Sequence, residues 1–148
     1  MIINTKNLNE ARKQADKFRK ENKPFAILSQ DDEFNRKALE IKGLTMFIIN
    51  ETLEIKDYGK QRNSGLNEVL AKITAQKNIT IGIQIQEITR KSDKEKARAL
   101  ARLSQNIMLC KKASTKLVFV DKEGTIQKQK DLEALLLTLQ ANSKQADF

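Results

Sequence analysis

The sequence predicts an α/β domain built on a parallel sheet. Short β-rich runs alternate with helical-period segments along all 148 residues. Most of the runs are apolar throughout, the pattern of strands covered on both faces. No composition shift, repeat or low-complexity tract interrupts the alternation, so residues 1–148 are expected to form one domain, with 141–148 as a flexible tail. Crossovers between such strands are right-handed. Two arrangements remain, an open doubly wound sheet or part of a (β/α) barrel, and periodicity does not separate them.

Each element follows from its residues. "MII" opens as a short strand, and Asn7 is placed to cap a helix, with Glu10 at capping-box spacing. Leu8, Ala11, Ala15 and Phe18 form its inward stripe, and Pro24 stops it. "FAILS" is the second strand. A short helix follows, with Phe34, Ala38 and Ile41 facing inward and Gly43 ending it. "LTMFIIN" is the third strand. After a polar loop, Leu66, Val69, Leu70 and Ile73 define the buried face of the next helix. In "NITIGIQIQE" apolar and polar residues alternate, which puts Ile79, Ile81, Ile83 and Ile85 on one strand face. Ser92 and Glu95 form a capping box for the longest helix, whose stripe is Leu100, Leu103, Ile107 and Cys110. "TKLVFVD" is the fifth strand and "KEGTIQ" a turn or short extension. Asp131 begins a last helix carrying Leu132, Leu135, Leu136 and Leu139.

Composition narrows the chemistry. Lys and Arg number 28 against 19 Asp and Glu, a formal charge of +9 that favours polyanionic partners, nucleic acid above all. No histidine is present, which removes Ser-His-Asp and Cys-His triads and imidazole metal ligands together. The single cysteine, Cys110, excludes an internal disulfide and falls on an apolar stripe. The start lacks the apolar core of a signal peptide, and no run approaches transmembrane length. A cytoplasmic protein with no membrane partner is expected.

In either arrangement ligands gather at the C-terminal ends of the strands. The stretch "DYGKQRNSGLNEVLAKI" is such a βα loop: Lys60 and Arg62 bring charge, and a helix start supplies free backbone N–H groups. It matches neither the dinucleotide fingerprint nor the P-loop. A second basic group comprises Arg90 and Lys91 in a loop, then Lys94, Arg98 and Arg102 four residues apart on one helix face, a ridge suited to successive phosphates. Aromatic residues make up only 5%, with Tyr58 the sole candidate for base stacking, so recognition of RNA backbone and shape is favoured over splayed bases.

"FNRKALEIKGLTMFII" and "RNSGLNEVLAKITAQKNITIGIQI" resemble the archaeal ribonuclease P protein component 3 family, related to the thirty-kilodalton subunit of the eukaryotic enzyme. Asn35, Arg36 and Ala38 match its Asn-Arg-x-Ala helix. Ser64, Gly65, Leu66, Asn67, Val69, Leu70, Ala71 and Lys72 match its second motif. The resemblance runs from the second strand to about residue 120. It implies a TIM-barrel-like fold, here incomplete at about five βα units, within an endonuclease ribonucleoprotein that removes the 5′ leader of precursor tRNA. Hydrolysis would belong to the RNA, with Mg2+ on the RNA and no cofactor or catalytic residue in this chain. Its partners would be the RNase P RNA, protein component 2 and, indirectly, precursor tRNA, with room for a higher assembly.

Lys60, Arg62, Arg90, Lys91, Lys94, Arg98 and Arg36 are then candidate RNA contacts, while Ser64, Gly65 and Asn67 shape the loop. The chain departs from the family at Asn63, where an Asp is usual, at Gln84 and Gln86, and at "DKEG" after the fifth strand. Two other readings stay open: an α/β enzyme acting on a phosphorylated small molecule, and a degenerate paralogue that keeps only partner binding.

Overall fold

The structure is a computed structural model and describes residues 1–53 and 56–140. The predicted 141–148 tail lies outside the described residues. Five parallel strands, β1 (Ile2–Ile3), β2 (Phe25–Leu28), β3 (Leu44–Ile49), β4 (Thr80–Gln84) and β5 (Leu117–Val120), stand side by side in chain order. The helices between and after them are α1 (Leu8–Lys20), α2 (Asp32–Ala38), α3 (Glu68–Gln76), α4 (Ile85–Thr89), α5 (Asp93–Ala113) and α6 (Lys130–Thr138). This order settles the choice left by periodicity. A doubly wound sheet reverses its strand order at a switch point, and this one never does. Right-handed crossovers between sequence neighbours then put α1 to α5 on the same face, and Leu136 of α6 packs into the same core, as in an arc of a (β/α) barrel. The TIM-barrel-like, incomplete fold predicted from the sequence is what the chain adopts.

The two faces of the sheet are both buried. Ile3, Ile27, Phe47, Ile49, Ile81, Ile83, Leu117 and Phe119 point to the helix side and pack with residues such as Ala11, Ala38, Leu70, Ile88 and Leu103. Ala26, Leu28, Ile48, Val118 and Val120 form a second cluster on the inner face, flanked by Ile2 and Met46. Two-sided burial explains the continuous apolar strands.

What covers the inner face is visible at Gly124. It has φ +83°, and a Cβ there would fall 3.2 Å from Ile2 Cδ1 and 3.7 Å from Ile48 Cδ1. The turn after β5 therefore reaches across to the first strand. Asp121 builds it: its Oδ1 accepts from the N–H groups of Glu123 (3.0 Å) and Thr125 (2.8 Å). The chain then returns along β5, Ile126 bridging antiparallel to Val120 and Gln127 N–H donating to Phe119 O at 2.8 Å. The short extension predicted for "KEGTIQ" thus pairs with the outer edge of β5 and blunts it.

Two sequence readings need correction. Val69 is 58% exposed, because α3 starts at Glu68 and its inward positions are Leu70, Ala71 and Thr74. Ile85 and Gln86 are helical: β4 ends at Gln84 and runs directly into α4. In α5, Ala99 and Asn106 are buried beside Leu103, Ile107 and Cys110, and Leu100 packs half-buried against the same core, as its place on the stripe predicts.

Candidate nucleic-acid interface

The C-terminal ends of β2 and β3 are tied together before any loop crosses them. Ser29 N–H donates to Ile48 O, and Ser29 Oγ accepts from Asn50 N–H at 2.9 Å. Asn35 then locks the β2–α2 turn. It is fully buried, accepts from Gln30 N–H at 2.7 Å and donates to Gln30 O at 3.1 Å. Asn35 was matched as a motif residue, and its local role is this turn. Ala38 packs into the core at zero exposure, whereas Arg36 is exposed and faces a groove between α2 and α3.

The basic loop between β3 and α3 lies across these strand ends. Gly65 adopts φ +76°, a conformation that suits glycine, and a Cβ there would lie 3.5 Å from Ile49 Cγ2 and from Ser29 Oγ. Ser64 is buried and its hydroxyl donates to Leu66 O at 3.1 Å. Asn67 caps α3, its Oδ1 accepting from Leu70 N–H at 2.9 Å. The three residues read from the sequence as loop-shaping therefore occupy the turn and the helix start.

Sequence reasoning missed the group that ties this loop to α5. Asp57 Oδ1 accepts from Asn63 N–H at 2.9 Å and from Arg102 Nε at 3.0 Å, and Arg102 Nη2 sits 3.0 Å from the same oxygen. Arg62 Nη1 reaches Asp57 Oδ2 at 3.4 Å. Burial alone would push the Asp57 carboxyl up, but the Asn63 N–H and the Arg102 and Arg62 guanidinium groups outweigh it and hold it below the usual range. One turn along α5, the Gln105 side chain brackets Arg62: it accepts from Arg62 N–H (3.2 Å) and donates to Arg62 O (2.9 Å) and to Ser64 Oγ (3.0 Å). Asn106 Nδ2 donates to Ser64 O at 3.1 Å. Arg102, read from its spacing as part of an exposed ridge, turns inward with its side chain 18% exposed.

The other basic residues surround this anchor. Lys60 is exposed in the loop. Arg90 follows α4 and pairs at 3.7 Å with Glu87, which also draws Lys122 to 3.9 Å. Lys94 and Arg98 are exposed on the first turns of α5. Tyr58 is 47% exposed, but its hydroxyl donates to Asp32 Oδ2 at 2.6 Å.

Under the loop sits Glu51, 7% exposed, its Oε1 without a hydrogen-bond partner among the described residues. Burial pushes its carboxyl up to about 7, against the pull of Lys91 and Arg102. It lines a cavity of about 20 Å³ with Ser29, Asn50, Asn63, Ser64, Gly65 and Arg102, room for a single water. A neighbouring cavity of about 280 Å³ is faced, among the described residues, by Asp31, Asp32 and only one cation, Lys6. Neither suits a phosphorylated small molecule. Among the described residues no group of three or more His, Cys, Asp or Glu could hold a metal, and no helix is long and apolar enough to cross a membrane.

Comparison with known proteins agrees with the motif reading. The chain is similar to Ribonuclease P protein component 3 of Methanococcus vannielii, at 30% identity over 118 residues, covering 78% of this chain and 47% of that protein. It thus spans about half the length of the curated relative. A chain in the cryo-EM structure of archaeal Ribonuclease P with mature tRNA superposes with a TM-score of 0.74 at 25% identity, covering 95% of this chain and 59% of that one. No family model matches.

Proposed function

We propose that this chain is an RNA-binding protein subunit of a ribonuclease P-type ribonucleoprotein that supports RNA-catalysed removal of the 5′ leader from precursor tRNA. The observation that carries the reading is the pairing of fold and surface. The relative at 30% identity is a ribonuclease P component, and the strand ends of this chain present cations around a built loop. Lys60 and Arg62 from the loop, Arg90 and Lys91 after α4, and Lys94 and Arg98 at the start of α5 are the proposed phosphate contacts. Arg36 lies a turn further along α2 and would extend this surface over the α2–α3 groove. Hydrolysis and its Mg2+ belong to the RNA in this reading, and protein component 2 is the protein partner.

The test is reconstitution. Addition of the chain and component 2 to an archaeal RNase P RNA should raise precursor-tRNA cleavage at low magnesium. Affinity for that RNA should fall steeply with salt, since each phosphate contact releases counterions. Unchanged cleavage together with salt-insensitive binding would overturn the assignment.

A further inference from the structure

The loop that carries Lys60 and Arg62 has little apolar anchorage of its own, since residues 56–62 are all exposed. Among the described residues, three long-range attachments hold it to α5, made by Asp57, Gln105 and Asn106. Two of them act on Arg62 directly. Asp57 takes its guanidinium, and Gln105 takes its backbone N–H and C=O in a two-point clamp. Asp57 is also an acid in the middle of a cationic surface, where it would by simple electrostatics weaken attraction for RNA.

We infer that Asp57 and Gln105 are positioning residues for RNA, fixing the basic loop on α5 so that Lys60 and Arg62 meet phosphates together. The inference rests on the RNA-binding reading above and adds a sign that charge alone does not give. Asp57 strengthens binding although it is negative, because a preorganised loop avoids the ordering cost that a free one meets on association. Gln105 does the same with no charge at all.

The experiment measures affinity for an archaeal RNase P RNA transcript over a range of salt, with circular dichroism and thermal melting on every variant. Asp57→Asn adds a positive increment to the net charge, yet should weaken binding about tenfold and lower the salt slope by about 1 to 2, the signature of lost phosphate contacts. Gln105→Leu, which leaves charge unchanged, should act in the same direction, and Asp57→Glu should recover part of the loss. Binding by Asp57→Asn as tight as the parent or tighter would overturn the inference. If Asp57→Asn fails to fold, parent-like binding by Gln105→Leu overturns it instead. The double variant Lys60→Ala/Arg62→Ala separates the two levels. No loss of affinity there removes the loop from the RNA interface and takes the inference with it. A loss there, beside unchanged binding in the positioning variants, refutes the inference alone.

Discussion

Glu51 shows how one residue can set a pH dependence for the whole fold. Its carboxyl sits under the basic loop with one oxygen unpartnered among the described residues, and burial favours the neutral form. The folded-state value is raised from 4.5 to about 7, so the native state holds a proton that the unfolded chain has already lost. The stability this supplies is fully present below about pH 4.5, declines as pH rises, and is lost once pH passes about 7. Glu51→Gln keeps the shape and removes the titration. At about pH 8 it should be more stable than the parent by about 2 kcal/mol, with little difference near pH 4.5. Urea unfolding at the two pH values checks this. Equal stability at both would mean that the carboxylate is solvated in the native state.

Single residues also mark where the sequence was and was not legible. Asn67, Ser64 and Gly65 were readable because capping and positive φ are local demands that a short motif states directly. Arg102 was not. Its four-residue spacing from Arg98 assigns a helix face, but its partner Asp57 lies 45 positions away, and no period encodes that. Asn106 escaped for a related reason: it is fully buried, yet a polar letter on a helix reads as a wet surface.

At the scale of elements, the misreadings share one cause, the place where a period starts. Leu66 was counted as the first helical position of its stripe, but it precedes Asn67, the N-cap of α3, so the register shifts and Val69 turns outward. The alternation of β4 was extended through Ile85 because two-residue and helical periods cannot be told apart over its last few letters. The turn after β5 is the element whose failure is easiest to forecast. Gly124→Val would place a branched side chain at φ +83° and against Ile2. It should cost about 2 kcal/mol, measured by denaturant unfolding, through strain at the backbone and displacement of the inner-face cover. A neutral result would show that the turn does not close the sheet.

For the molecule as a whole, strand order matters more than strand count. The alternation of elements was plain in the sequence, whereas the choice between sheet types came only from the sequential β1-β2-β3-β4-β5 pairing. One resemblance, carried by two short motifs, anticipated that outcome where periodicity did not. The reason is physical: both sheet types use right-handed crossovers between alternating elements, so they differ only in which strands pair, and local periodicity does not encode that.

The contact of Gly124 with Ile2 has a kinetic consequence. Every strand pairs with its neighbour in sequence, so each βαβ unit can assemble as soon as its own residues have left the ribosome. The Gly124 turn is different, since it must find a strand that lies 122 positions earlier in the chain. It should therefore form after the rate-limiting barrier. Chevron measurements on Gly124→Val should show unfolding accelerated and refolding almost unchanged, so that the turn acts as a latch on a sheet already assembled.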